Sequence, residues 1–67
     1  MEIVFNYQQG AHNVAVVNEE GYDGCSATSS DKVYTSGNDQ ITLVKGLNNF
    51  ICSFHCGAGM KLQISAS

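Results

Sequence analysis

The sequence predicts an all-β fold, a sandwich of six short strands. Runs rich in β-branched and aromatic residues alternate at near-regular spacing with turns of Gly, Asn, Asp and Ser. No segment has the apolar spacing of a convincing amphipathic helix. With 67 residues, the chain forms at most one domain. The predicted strands cover residues 2–7, 12–18, 32–35, 40–44, 49–51 and 61–65.

The predicted elements differ in how clearly their patterns define them. Residues 2–7 are dense in β-branched and aromatic side chains, and residues 40–44 alternate apolar and polar. Residues 12–18 alternate imperfectly, which is typical of a strand buried on both faces. The glycine-rich polar segment 19–24 fits a loop or a short helical turn, and the small residues of 25–30 predict a loop. The predicted turns lie at residues 8–11, 36–39 and 45–48.

The charge balance argues against several classes of partner. The net charge is −3, and the whole chain has three basic residues. Nucleic-acid binding needs clustered Lys and Arg, and attraction to anionic membranes needs basic patches, so the sequence predicts neither partner. No apolar run approaches the ~20 residues of a membrane-spanning helix. We therefore expect no membrane insertion by this chain and no signal peptide within it.

One predicted loop concentrates the chemically distinctive side chains. Cys52, His55 and Met60 lie within nine residues, between two predicted strands. Thiolate and thioether groups select soft or borderline metal ions, and imidazole suits copper and zinc. A Cys and two His with a weak axial Met form the ligand set of a blue-copper electron-transfer site. The missing imidazole would have to come from His12, the other histidine in the chain.

The three cysteines form an odd count. In an oxidising compartment, an odd count predicts one disulfide and one cysteine with another task. Cys52 lies with the other potential ligands, which leaves Cys25 and Cys56 to pair. In the chain-entropy model, closing a loop of about 30 residues stabilises a protein by ~3–4 kcal/mol. The alternative is a cytosolic protein with three free thiols.

Motifs that match one known family run along nearly the whole chain. They are residues 4–7, 12–18, 21–22, 32–41, 45–46, 50–54, 55–56 and 59–61. Together with the order His, Cys, His, Met, these motifs resemble the phytocyanins, the plant members of the cupredoxin family. The resemblance implies a cupredoxin-like Greek-key β-sandwich, a single but partial plastocyanin-like domain over residues 1–67, and the Cys25–Cys56 disulfide.

The chain departs from the family pattern in two places. The family domain begins with further strands, so we expect a truncated sandwich that lacks them, of natural or engineered origin, with exposed apolar sheet edges. Such edges favour dimerisation by strand pairing. The family loop also has a Pro-Gly pair before its second histidine, whereas here Phe54 directly precedes His55. The spacing is therefore shortened to Cys-x-x-His-x-x-x-x-Met.

The resemblance assigns a role to each residue that matches a family motif. One type 1 copper ion would be held by His12, Cys52, His55 and Met60. Asn13 matches a family residue that ties the two ligand segments together, so it would support the ligands without binding the ion itself. Taken without the family match, His12 is an ordinary half-buried strand histidine, Met60 is core packing, and Asn13 is a polar residue at a strand start.

The resemblance also implies a function, a surface and a location. The chain would be a small one-electron carrier without enzyme activity, secreted to the plant apoplast or cell wall. Its redox partner is not identified by the sequence. The partner contact falls on the residues around the second histidine, which are Phe54, His55, Gly57 and Ala58.

Other functions remain open at this point. The chain could be a non-redox phytocyanin-like binding module in plant cell-surface or reproductive interactions. A zinc site from His12, Cys52, His55 and Cys56 would require Cys56 to be unpaired. An enzyme with Cys52 as nucleophile and His55 as base would need an oxyanion motif or substrate cleft, and the sequence offers neither.

Overall fold

The computed structural model describes residues 1–28 and 31–67. The strands are β1 (Glu2–Asn6), β2 (Val14–Val17), β3 (Lys32–Tyr34), β4 (Asn38–Thr42), β5 (Gly46–Ile51) and β6 (Lys61–Ala66). One helix, α1, spans Glu19–Gly24, and a short 3₁₀ helix spans Cys56–Ala58. The all-β prediction is confirmed. Among the described residues, no helix is long and apolar enough to cross a membrane.

Two antiparallel sheets form the sandwich. One sheet pairs β1 with β4, and the other has the strand order β3-β2-β5-β6. In β1 the side chains of Ile3 and Phe5 are half-buried, while their neighbours along the strand are exposed. This alternation follows from the two-residue period of a strand with one face on the core. β2 lies in the interior of its sheet, between β3 and β5, and is largely buried, as its imperfect alternation predicts.

Apolar side chains from both sheets meet in a shared core. Val14 of β2, Phe50 of β5 and Ile41 of β4 are buried together, and Phe5 of β1 packs against them. The rings of Phe5 and Phe50 lie 5.0 Å apart between centroids, at an interplanar angle of 59°. Burying one such side chain stabilises the fold by about 1.5–3 kcal/mol, so this cluster holds the two sheets face to face.

The segment for which the sequence left a loop or a helical turn open forms α1. The Asn18 side chain caps the helix by accepting a 2.8 Å hydrogen bond from the Gly21 N–H. Glu19 and Glu20 occupy the first turn, where negative charge is favoured by the helix dipole. The helix ends at Gly24 and is capped by Cys25, which adopts a left-handed backbone with φ 53°. The predicted loop at 25–30 falls partly on residues 29 and 30, which lie outside the described residues.

Strand boundaries differ from the sequence prediction because the pairing partner decides where a strand ends. β4 begins within the predicted turn 36–39 and stops short of residue 44, because its register with β1 runs from Asn6↔Asn38 to Glu2↔Thr42. β5 begins within the predicted turn 45–48, because Gly46 pairs with Ala66 at the end of β6.

A buried amide fixes part of the predicted turn at 45–48. The side chain of Asn48 accepts a 2.9 Å hydrogen bond from the Val44 N–H and donates one of 2.9 Å to the Val44 carbonyl. It also donates to the carbonyl of Ile64 in β6, at 3.3 Å. Asn48 lies within β5, and its side chain holds the segment that connects β4 to β5.

Candidate metal centre

Three chain segments converge at one end of the four-stranded sheet. β2 and β5 are antiparallel with Ala15 opposite Ile51, and β5 and β6 are antiparallel with Ile51 opposite Lys61. The start of β2, the end of β5 and the start of β6 therefore lie side by side. The Cys52 N–H continues the pairing by donating a 3.1 Å hydrogen bond to the Met60 carbonyl. This topology brings together the residues that flank these strand ends.

The thiol of Cys52 lies against the imidazole of His12. The Cys52 Sγ is 3.7 Å from the His12 Nδ1, and the Cys52 side chain is free and 5% exposed. In tetrahedral sites a sulfur ligand lies about 2.3 Å from the metal and an imidazole nitrogen about 2.0–2.1 Å. Two such ligands at roughly 110–120° around one ion are then ~3.6–3.8 Å apart. The observed separation fits a shared ion, and it also fits a weak thiol–imidazole hydrogen bond.

His55 joins this pair from the exposed side. Its ring lies 4.8 Å from the His12 ring between centroids, tilted by 57°. Its backbone N–H donates a 3.1 Å hydrogen bond to the Cys52 carbonyl. Within residues 1–28 and 31–67, however, no group of three His, Cys, Asp or Glu side chains is arranged to hold a metal ion. The structure places the Cys52 thiol against the His12 imidazole and the His55 ring against the His12 ring.

The segment between Cys52 and Met60 is folded onto itself. Cys56 N–H donates to the Cys52 carbonyl at 2.8 Å, and Gly59 N–H donates to the Cys56 carbonyl at 2.8 Å. Gly59 has φ +99°, a backbone conformation that favours glycine. The shortened loop, without the Pro-Gly pair, is therefore closed by its own backbone hydrogen bonds.

Met60 lies at the end of this segment, beside an open groove. Its side chain is 45% exposed, and its N–H donates to the His55 carbonyl at 3.3 Å. The groove has a volume of about 510 Å³ and is lined by Met60, Cys52 and His12 together with apolar residues of β1, β2, β5 and β6. The thioether is thus near the pair formed by Cys52 and His12 without being packed into the core.

Asn13 links the two ligand-bearing segments. Its Nδ2 donates a 2.7 Å hydrogen bond to the Ser53 Oγ, and its Oδ1 accepts a 2.8 Å hydrogen bond from the Ser53 N–H. Asn13 follows His12, and Ser53 follows Cys52. Both hydrogen bonds therefore join the residues next to the pair whose Sγ and Nδ1 are 3.7 Å apart. Ser53 was not identified from the sequence, because nothing in the pattern marks a single serine as the partner of a residue forty positions away.

The disulfide between Cys25 and Cys56 is present, with the two Cα atoms 5.4 Å apart. This confirms the predicted pairing and leaves Cys52 as the free cysteine. The bond anchors the end of α1 to the loop that carries His55. It also removes Cys56 from the alternative zinc set, in which an unpaired Cys56 was the fourth ligand.

The residues predicted to contact a partner share one exposed surface. Phe54 is 61% exposed, and His55, Gly57 and Ala58 are exposed beside it. The cysteines at positions 52 and 56 point inward and are buried, which leaves the intervening side chains on the outside. The loop therefore offers a small apolar surface around one candidate ligand.

Tyr7 is a groove residue that sequence reasoning placed only in a strand. Its hydroxyl oxygen is 3.0 Å from the Tyr34 carbonyl oxygen. The hydroxyl donates a hydrogen bond to the carboxylate of Asp39. Asp39 is buried and also accepts a 2.7 Å hydrogen bond from the Ser36 Oγ. Burial, with the hydrogen bond to Asp39, raises the pKa of Tyr7 above its usual value of 10.0.

A match to a known family accounts for this combination of fold and site. The model of the family described as "Plastocyanin-like domain" matches residues 2–60. The chain therefore belongs to the plastocyanin-like domain family.

Individual relatives agree with that assignment. The chain is 50% identical over 66 residues to the basic blue protein of Cucumis sativus, covering 96% of this chain and 69% of the relative. It spans 51% and 53% of two further curated relatives. Among solved structures, spinach plantacyanin superposes with a TM-score of 0.94 at 51% identity, covering 98% of this chain and 75% of that one. Cucumber basic protein, a blue copper protein, gives 0.94 at 48% identity, covering 98% and 71%.

Proposed function

We propose that this chain is a blue copper protein that carries one electron at a time. The observation that carries the proposal is the buried, free Cys52 thiol 3.7 Å from the His12 imidazole. His55 and Met60 complete the ligand set of a type 1 site. The similarity to a solved protein that is itself named a blue copper protein supports the same function.

The chain's own residues prepare the site for this role. When bound, copper would supply the one-electron couple between its Cu(I) and Cu(II) states. Cys52 is held in the core, which keeps bulk water from its sulfur. Asn13 fixes the backbone after Cys52 through Ser53, so the sulfur and the His12 ring keep their separation. Such support of the ligand-bearing backbone tunes a metal site.

The exposed loop supplies a route to a partner. His55 is both a proposed ligand and an exposed residue, and Phe54, Gly57 and Ala58 surround it with apolar surface. A redox partner that docks on this surface would come within reach of the site through the His55 ring. No enzymatic step is part of the proposal.

We place the protein outside the cell. Disulfides persist in oxidising compartments and are rare in the cytosol, and the Cys25–Cys56 bond is part of the fold. A count of free thiols in the unfolded, unreduced protein tests the disulfide on which this location rests. We expect one thiol per chain, from Cys52, and a count of three would contradict it.

The decisive experiment is a visible absorption spectrum after Cu(II) is added to the disulfide-bonded protein. We expect an intense thiolate-to-copper charge-transfer band in the wild type and its loss in Cys52→Ser. Metal analysis of the purified protein identifies the ion that is bound. A colourless wild type that retains its fold by circular dichroism would exclude the electron carrier. It would favour the second candidate, a metal-free binding module of the same fold.

A further inference from the structure

Lys61 directly follows Met60 and reaches across to α1. Its Nζ lies 4.5 Å from the centroid of the Tyr22 ring. The same atom donates a 3.2 Å hydrogen bond to the Tyr22 backbone carbonyl. A cation above an aromatic face is attracted by the ring's negative quadrupole, and the hydrogen bond fixes its direction. This two-part contact, the Lys61–Tyr22 clamp, joins the start of β6 to the helix.

The helix that receives Lys61 is itself held in place. Tyr22 packs against a buried cluster that includes Ile51 and Cys56. Cys25, which ends the helix, is disulfide-bonded to Cys56 within the loop. The helix therefore contacts the loop near its middle through the disulfide. Lys61 provides a second attachment where the loop passes into β6.

Met60 depends on such attachments because its side chain has little packing of its own. It is 45% exposed and faces the open groove. Its backbone is held by two hydrogen bonds, from the Cys52 N–H to its carbonyl and from its own N–H to the His55 carbonyl. The next residue along the chain is Lys61. A change in the position of Lys61 is therefore transmitted to Met60 through one peptide unit.

We propose that Lys61 is a positioning residue, which sets the place of the Met60 thioether relative to Cys52 by docking on Tyr22. This inference rests on the proposed function, in which Met60 would be one of the four copper ligands. The axial ligand tunes the reduction potential of such a site. A sulfur lone pair stabilises the more highly charged oxidised ion more than the reduced one. Weaker contact with Met60 therefore raises the potential.

Substitution of Tyr22 separates positioning from charge. Tyr22→Leu removes the aromatic ring and leaves the charge of Lys61 in the chain. We expect a higher reduction potential and a shifted charge-transfer band in the copper-loaded protein. Tyr22→Phe is the matched control, because it keeps the ring and the backbone carbonyl. We expect it to match the wild type in both measurements.

Substitution of Lys61 gives an independent comparison that does not disturb the core. Loss of a nearby positive charge alone lowers the potential, because a cation disfavours the more highly charged ion. Loss of positioning raises it. Lys45→Gln, at an exposed turn, gives an upper limit for the reduction potential expected from loss of charge alone. Lys61→Gln should therefore have a reduction potential above that of Lys45→Gln. Lys61→Arg keeps both the charge and the ring contact, and we expect it to restore wild-type values.

The measurements are visible spectra and protein-film voltammetry of the copper-loaded variants, with proton NMR of the metal-free proteins. In the metal-free wild type, the ring current of Tyr22 should move the Lys61 ε-methylene signals upfield, and Tyr22→Leu should abolish this shift. A wild type without the charge-transfer band overturns the proposed function and this inference together. A blue wild type whose Tyr22→Leu variant keeps the wild-type potential, and whose Lys61→Gln variant shows only the lowering expected from lost charge, overturns the positioning role alone.

Discussion

Asn13 and Ser53 are hydrogen-bonded to each other twice, although forty positions of sequence separate them. Each residue directly follows one member of the closest pair of candidate ligands, His12 and Cys52. These two hydrogen bonds hold the two chain segments together, so the segments themselves fix the separation of His12 and Cys52. It does not depend on how the thiol and the imidazole themselves interact.

Asn13→Ala should therefore weaken the fold as well as the site. The substitution removes both hydrogen bonds to Ser53, and at about 0.5–1.5 kcal/mol for each bond the loss costs about 1–3 kcal/mol of unfolding free energy. Ser53→Ala removes one of the two bonds and should cost about 0.5–1.5 kcal/mol. Urea denaturation monitored by circular dichroism measures both. Asn38→Ala, at an exposed strand position, is the control, and equal losses in all three variants would contradict the role of Asn13.

Gly21 is required for the close approach of α1 to β2. A Cβ built at this position would lie 2.6 Å from the Ser26 carbonyl oxygen and 2.8 Å from the Val17 Cβ. Gly21→Ala should therefore lower the unfolding free energy by about 1–3 kcal/mol through overpacking. At Gly24, in the same helix, a Cβ meets no atom within 4 Å. Gly24→Ala should be stabilising by about 0.5–1 kcal/mol, because alanine loses less backbone entropy in a helix.

The comparison of the two glycine variants needs only thermal melts under identical conditions. Opposite signs of the change in melting temperature are expected. A Gly21→Ala protein as stable as the wild type would show that α1 can move away from β2 without cost.

The Cys25–Cys56 disulfide should supply a large share of the stability. The bond joins residues that are 31 positions apart. The chain-entropy model values such a closure at ~3–4 kcal/mol, because the unfolded chain is restricted. The double variant Cys25→Ala/Cys56→Ala should lose about this amount in urea denaturation. An unchanged denaturation midpoint would mean that the buried cluster alone fixes α1 to the loop.

Stability should fall at alkaline pH through Tyr7. The pKa of Tyr7 is raised in the folded protein, so the native state retains this proton more tightly than the unfolded chain does. The resulting stabilisation is fully present below about pH 10, the pKa of an unfolded tyrosine. It is lost as the pH rises from there through the folded-state pKa. Melting temperatures between pH 8 and 11 should show this loss in the wild type.

Tyr7→Phe is the variant that tests the alkaline effect. It removes the titrating hydroxyl, so this part of the pH dependence should disappear. The overall stability should also fall, because buried Asp39 loses one hydrogen-bond donor. Identical profiles for Tyr7→Phe and the wild type would assign the alkaline loss to other groups.

The sequence predicted what depends on local pattern. The β-branched and aromatic content of residues 2–7 and the alternation in residues 61–65 placed β1 and β6 to within two residues. The odd cysteine count led to the disulfide. Boundaries set by a distant partner were wrong. β4 and β5 begin inside predicted turns, because their registers with β1 and β6 extend further than their own sequences indicate.

Side-chain hydrogen bonds that join segments far apart in sequence were also beyond prediction. The bonds of Asn48 to Ile64, of Tyr7 to Asp39, and of Lys61 to Tyr22 have no periodic signal. Each involves a polar residue that is common in turns or on surfaces. Its partner becomes visible only when the two sheets and the helix are packed. The candidate ligands were singled out in the sequence because three of them lie in one short loop.

The convergence of β2, β5 and β6 at one end of a sheet has a thermodynamic consequence. The pairing of β2 with β5 brings His12 and Cys52 together, so the folded chain presents both donors preformed to one ion. Ion binding and folding are therefore coupled equilibria. A ligand that binds only the native state at a thousand times its dissociation constant adds about 4 kcal/mol to the unfolding free energy. For so small a core, an occupied site would then contribute a large share of the unfolding free energy.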